Sequence, residues 1–314
     1  MFKLNFEIPA SSAKINLSDP VLLIGSCFSD EIGEKLKSHK FNAFSNPFGT
    51  IYNPHSIFKV LEGGLNPKDT IESQGVYYHW DAHGSVSGLS ETDVSALLVQ
   101  KNQEMNTFLG NAKWLIIALG TAIVYEYENV GIVANCHKIP QSKFTKRFLS
   151  QKEIIGQFAR LHAKFNPNLK IIFTVSPVRH IRDGLVENNR SKAILLDSIH
   201  QLVEEYKNVH YFPAYEILID ELRDYRFYAE DMIHPSSQAI NYIWDTFSQT
   251  YFDSNTRSFL SEWVKVKAAL NHRSFQPQSV SHQKFLYNTL EKLTALNEKV
   301  DLRVEIEQVK NQLK

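Results

Sequence analysis

The stretch Val21-Leu22-Leu23-Ile24-Gly25-Ser26-Cys27-Phe28-Ser29 passes from four aliphatic residues through a glycine into small polar ones. The aliphatic run has strand length and no alternation, the mark of a strand covered on both faces and hence of a parallel sheet between helix layers. Directly after it, residues 29–40 place Ile32 and Leu36 on one helical face. A buried strand that gives way to a helix across one short turn is the repeating unit of α/β domains.

Three further runs share this character, at residues 114–120, 170–176 and 209–213, each followed by small or turn-forming residues. Helical patterns cover 92–109, 151–165 and 189–206, the last carrying Ile194, Leu195, Ile199, Leu202 and Val203. The expectation is a three-layer α/β/α domain of flavodoxin-like type over residues 1–251, binding ligands beyond the carboxyl ends of its strands. Residues 76–86 and 123–137, the second with a turn at Asn129-Val130-Gly131, read as β-hairpins inserted near that edge. Residues 252–314 shift to helix formers and charge. Leu302, Ile306, Val309 and Leu313 recur at helical spacing behind an Asp301 cap, so a helical appendage is expected. It would pack on the main domain or on a second copy of the chain.

Composition removes several function classes. The 314 residues hold 34 basic and 34 acidic side chains, which gives no electrostatic footprint for nucleic acid or an anionic membrane. Residues 1–10 alternate Phe2, Leu4, Phe6 and Ile8 with polar residues, a strand pattern without the basic flank and apolar run of a signal peptide. No later run is long enough to span a bilayer, so a cytoplasmic protein is expected. Two cysteines are too few for a disulfide scaffold, and no zinc spacing or phosphate-cradling glycine loop occurs. Gly84-Ser85-Val86-Ser87-Gly88 has valine where a nucleophile elbow needs serine. No metal and no cofactor are expected.

Two places carry chemistry. Ser26 ends the first strand and opens a helix, where unpaired N–H groups and the positive dipole end favour an alkoxide and an oxyanion. The bland alternative is an ordinary N-cap serine at Ser26 or Ser29. In Asp231-Met232-Ile233-His234-Pro235-Ser236, an Asp three residues before a His can accept the imidazole Nδ1–H and leave Nε2 free as a base. Pro235 and the serines after it place a helix start there. Cys27 is a second candidate nucleophile, since helix N-termini stabilise thiolates, although the residue after such a turn normally points away. Arg179 and His180 follow the third strand, where they would bind a carboxylate or phosphate or make an ordinary ion pair.

Gly25-Ser26-Cys27-Phe28 resembles the signature of the GSCFA family, with Ser29 in place of its alanine. The resemblance runs from about residue 22 to 243. It takes in Asn46-Pro47-Phe48-Gly49-Thr50-Ile51-Tyr52-Asn53-Pro54, Leu119-Gly120-Thr121-Ala122, Asn135-Cys136-His137-Lys138, Ser176-Pro177-Val178-Arg179-His180 and Asp224-Tyr225-Arg226-Phe227-Tyr228. That family looks like a branch of the SGNH/GDSL hydrolases. The resemblance implies an SGNH-like fold with Ser26 as nucleophile, His234 as general base and acid, and Asp231 as its orienter. It implies an oxyanion hole from the backbone N–H groups of Ser26 and Gly49. SGNH enzymes usually add an Asn donor from a Gly-x-Asn turn, and here that turn reads Gly120-Thr121-Ala122. Thr121 substitutes, or Asn135 swings in from the hairpin, or only two donors exist.

The expected activity is an esterase, of deacetylase type, acting on a small-molecule or glycan acyl ester through acyl-Ser26. Tyr77, Tyr78, Trp80, Tyr225 and Tyr228 would supply flat surfaces for a sugar, or simply pack. The rivals are an acyltransferase with the same triad and a non-catalytic carbohydrate-binding or scaffold protein.

Overall fold

The structure, a computed structural model, describes residues 6–313. Its centre is a five-stranded parallel sheet of β1 (Val21–Gly25), β2 (Ala43–Ser45), β6 (Trp114–Leu119), β10 (Lys170–Val175) and β11 (Val209–Tyr211), in the spatial order β11-β10-β6-β1-β2. Chain order reverses between β1 and β6, whose last paired residues are Gly25 and Ala118. Such a reversal opens a crevice at the carboxyl ends of the strands.

Pleating sends alternate residues of each strand to opposite layers. Leu22, Ile24, Leu115 and Ile117 join a core with α2 (Pro54–Leu61), α3 (Glu91–Asn111), α4 (Gln151–His162) and α5 (Leu185–Glu205). Val21, Leu23, Ile116 and Ala118 face the other way, onto α1 (Cys27–Ser38) and α7 (Ser237–Tyr251). Between α5 and α7 lies a short α6 (Ala214–Glu216) that continues as a π-helical stretch, Ile217–Leu222. The domain is therefore a three-layer α/β/α fold.

The sequence pattern placed α1 two residues late. The helix starts at Cys27, so Ser26 itself holds the N-cap position. Its reading also missed β2 and α2 beside it. The three residues of β2 are too few to show a period. Helix α2 is signalled mainly by its cap, Asn53, which accepts the Ser56 N–H at 2.8 Å ahead of Pro54.

The first hairpin lies upstream of its expected position. β4 (Val76–His79) pairs with β3 (Thr70–Ser73) across a two-residue turn, Gln74-Gly75, and only briefly with β5 (Ser87–Gly88). Both turn residues have positive φ, 56° and 77°, the geometry that matches strand twist in a tight hairpin. The second hairpin forms as expected, β7 (Ile123–Tyr127) against β8 (Gly131–Val133), and gains a third strand, β9 (Phe144–Phe148).

The strand expected over residues 1–10 is not found where it can be described. Residues 1–5 lie outside the described residues, and Phe6 to Ala10 pair with no strand. The chain is tied instead to the end of α7, by Ser11 N–H to Thr250 O at 3.0 Å and Ile15 N–H to Tyr251 O at 2.8 Å. Alternation gave this segment an apolar face, and Ile8 uses it against the core without a partner strand.

The C-terminal helices α8 (Ser254–Leu270), α9 (Val280–Leu296) and α10 (Arg303–Lys310) bury their apolar faces within the chain. Phe259, Trp263, Leu286, Leu293 and Val309 share one hydrophobic cluster with Phe28, Ile32 and Leu36 of α1. Trp263 Nε1 donates to Ser38 O at 2.9 Å, Lys40 lies 5.3 Å from the Trp263 ring centre, and Lys40 pairs with Glu305. The expected Asp301 cap falls one residue early: Leu302 holds the N-cap position of α10 with no side-chain cap, and Asp301 accepts the Arg303 N–H at 3.1 Å from outside the helix. Among the described residues no helix is long and apolar enough to cross a membrane.

Trp263→Ala deletes both the buried ring and the Ser38 bond. It is expected to lower stability by about 3–5 kcal/mol in urea titrations, whereas a loss below about 1 kcal/mol would mean that the tail docks loosely.

Candidate active site

The site begins with a steric demand. Gly25 has φ of 137°, and a Cβ there would lie 2.1 Å from Ala118 O. Only glycine fits, and it lets the chain turn from β1 directly into α1. Asn46 clamps this turn: its Oδ1 accepts the Gly25 N–H at 2.8 Å and its Nδ2 donates to Asp30 Oδ1 at 2.8 Å. Ser26 then stands at the head of α1 with 1% exposure, and its hydroxyl neither caps the helix nor meets any other partner among the described residues. An N-cap serine normally accepts an N–H from the first turn. The capping explanation for Ser26 therefore fails on its own geometry.

His234 is built by a second turn. Asp231 Oδ1 accepts the N–H groups of Ile233 at 2.9 Å and His234 at 3.0 Å, while Oδ2 pairs with His234 Nδ1 at 2.6 Å. These donors, the His234 N–H foremost, hold the Asp231 carboxyl down at about 2. The loop is closed by Ala229 N–H to His234 O at 2.8 Å, and Ser236 caps α7 immediately after it. Ser26 and His234 line one cavity of about 290 Å³ at the sheet crevice, with no hydrogen bond between them. Its other walls are Cys27, Tyr52, Gly120, Thr121, Ser176 and the segment Val178 to Arg182.

The expected oxyanion donors fare less well. The Ser26 N–H is committed to Ala118 O at 3.0 Å, extending the β1–β6 ladder. The Gly49 N–H is committed to Asn46 O at 2.8 Å, and Gly49 is a glycine because a Cβ would meet the His83 Cβ at 2.3 Å. Asn135 donates its amide to Ala82 O at 2.9 Å, away from the cavity. Thr121 does line the cavity, where its Oγ1 accepts the Ile123 N–H at 3.0 Å and shares a proton with Ser191 Oγ at 2.9 Å. When Ser191 donates in that pair, the Thr121 proton is left over. The helix start supplies the unpaired main-chain donors expected there, at residues that the resemblance did not name. The N–H groups of Cys27 and Phe28 lie in the first turn, where no intrahelical acceptor exists.

Cys27 faces the cavity, against the expectation that it would point away. Burial, then Asp30 and Glu31, push its thiol up, although its own N–H and that of Phe28 pull the other way. A thiolate is thus disfavoured there. Arg179 and His180 both reach the cavity wall. Arg179 lies 4.4 Å from the Tyr228 ring centre, and burial lowers the His180 imidazole pKa. The hairpin aromatics pack rather than line the cavity: Trp80 lies 4.7 Å from Tyr127 and Tyr78 stacks on His137 at 4.6 Å. The β7–β9 sheet instead braces the cavity wall, through Tyr125 and Lys146, each 3.0 Å from Asp183.

The largest omission from the sequence reading is Lys192. It is 2% exposed, and its Nζ donates to Gly120 O and Ser176 O, both at 2.7 Å, so it ties the ends of β6 and β10 together beneath the cavity. Burial pulls its pKa down to about 7, opposed by Cys27. Two N–H donors are all a neutral amine has, and both are used. In sequence Lys192 is one residue of the helical pattern over 189–206 and nothing marks it, because its contacts are to main-chain carbonyls far away in the chain.

Ser26→Ala replaces an orphaned buried hydroxyl by a methyl group. It is expected to raise the urea midpoint, by about 1 kcal/mol of stability, and a fall would reveal a partner for the hydroxyl. Lys192 sets a pH dependence. Its folded pKa of about 7 lies below the free value of ~10.4, so the folded chain binds fewer protons between the two. Its stabilising contribution is complete above the unfolded pKa and is lost as pH falls through the folded one. Stability titrated across that window should rise less steeply in Lys192→Met than in the wild type. Parallel curves would mean that the amine is not depressed.

A profile described as the GSCFA family matches residues 20–247, and one described as GSCFA domain protein, C-terminal domain, matches residues 263–314. No curated protein matches the chain. The first match covers both turns that build the cavity, from Gly25-Ser26 to Asp231–His234. The chain belongs to the GSCFA family.

Proposed function

We propose that the chain is a serine esterase of the SGNH/GDSL kind, working through an acyl-Ser26 intermediate. The observation that carries this reading is a buried serine hydroxyl, withheld from helix capping, on the same cavity as an Asp-oriented imidazole. His234 Nε2 takes the Ser26 proton as Oγ attacks the ester carbonyl carbon. The tetrahedral adduct collapses, His234 hands the proton to the departing alcohol, and acyl-Ser26 remains. Water then attacks with His234 as base again, releasing the acid and restoring Ser26. Asp231 stays ionised beside the imidazole throughout.

The developing oxyanion is met by the head of α1, through the Cys27 N–H and the helix dipole, with the Thr121 hydroxyl as a second donor. Each such donor is worth about 2.7–4 kcal/mol in the transition state. The Ser26–His234 bond closes when substrate enters, since such bonds tighten in the complex. The acyltransferase reading has one observation behind it. A second cavity of about 470 Å³ adjoins the first, sharing Arg179, Ile181 and Ile233, and offers room for an alcohol, whether leaving group or acceptor.

Fluorophosphonate labelling with peptide mapping tests the nucleophile. The adduct should sit on Ser26, vanish in Ser26→Ala, fall at least about 100-fold in rate in His234→Ala, and persist in Cys27→Ala. An unlabelled, folded wild type would turn the assignment toward a binding protein.

A further inference from the structure

Among the described residues no Asp or Glu lines the cavity that holds Ser26 and His234, whereas Arg179 and Arg182 both do. Neither guanidinium has an ion pair or hydrogen-bond acceptor among the described residues. Each is placed by an aromatic face instead, Arg179 at 4.4 Å from the Tyr228 ring centre and Arg182 at 5.7 Å from that of Tyr125. A guanidinium resting on a ring is held in position while its in-plane N–H donors stay available. The nearby carboxylates are already engaged. Asp183 binds Lys146 and Tyr125, and Asp231 binds His234 and two backbone N–H groups. His180, between the arginines, turns its buried Nδ1 toward Asp183 Oδ2 at 3.7 Å, beyond hydrogen-bond distance.

Unpartnered arginines on an acid-free wall form a receptor for a negative group. The cavity volume of about 290 Å³ has room for one compact molecule that carries both the acyl ester and the anionic group. We infer that the cavity selects small acyl esters carrying a carboxylate or phosphate, held by Arg179 and Arg182 while the ester lies at Ser26. The ester part of this inference rests on the acyl-transfer reading; the anion part does not.

Monomethyl succinate and dimethyl succinate make a matched pair that differs by one charge. Titrated calorimetrically into Ser26→Ala protein, the monoanion should bind about tenfold tighter or more than the neutral diester, and its affinity should fall with added salt. Arg182→Gln, at an exposed position, and Arg179→Gln should each erase most of that difference while circular dichroism stays unchanged. Equal affinity for both esters, no saturable binding of the monoanion, or a preference that survives both substitutions would overturn the inference. Inorganic phosphate as competitor separates the two anionic groups: displacement of the monoanion admits phosphate esters, and its failure restricts the site to carboxylates. Fluorophosphonate labelling of the wild type is scored separately. Monoanion binding without Ser26 labelling would keep the anion site and remove the esterase.

Discussion

The close approach of β1 and β6 at their carboxyl ends governs the rest of the site. With no room for a Cβ at Gly25, the backbone comes against Ala118, and the next N–H bonds to that same carbonyl. Ser26 is thereby fixed at the point where strand order reverses, and α1 starts with no intervening loop. A longer connection would have let Ser26 drift by several ångströms, and would have left the first turn of α1 pointing elsewhere. Asn46, itself at positive φ, locks the arrangement from the edge strand by taking the Gly25 N–H.

Around that turn the polar groups divide into two sets. Under the cavity, on the α5 side, the strand ends are tied: Tyr52 O receives the N–H groups of Gly120 and Thr121, Ser191 Oγ receives that of Ala122, and Lys192 joins two strand ends. On the cavity wall are Ser26 Oγ and two guanidinium groups, all without partners of their own among the described residues. Buried polar atoms are seldom left unpaired without a reason. A rigid, satisfied floor beneath unsatisfied walls is the arrangement a preorganised site requires, because the floor holds the donors still while a ligand completes them.

Much of this was legible beforehand, for physical reasons. The strands β1, β6 and β10 are doubly buried and so read as unbroken aliphatic runs, and α4 and α5 carry long periodic faces. Asp231–His234 was legible because its geometry is local, set within four residues. Which N–H groups are open to the cavity was not, since a residue name says nothing about where its N–H points: Gly49 and Asn135 have suitable chemistry and are both engaged elsewhere. Lys192 and Asn46 escaped for a related reason. Their importance comes from carbonyls and amides remote in sequence, and a lysine in a polar helical stretch looks solvated until Gly120 and Ser176 fold over it. β9 was passed over because its half-exposed face gives a weak pattern.

The helix that follows Ser26 also ends against the C-terminal helices, where Ser38 O receives the Trp263 indole N–H and Lys40 meets Glu305. A chain cut near residue 252 would lose Phe259, Trp263 and Leu293, and would bare the apolar face they cover on α1 and α7. Contiguous exposed apolar surface of that kind drives self-association. The main practical consequence concerns handling: a fragment that ends there should precipitate or form soluble aggregates, so that a negative result from a truncation experiment would report on solubility and carry no information about the cavity.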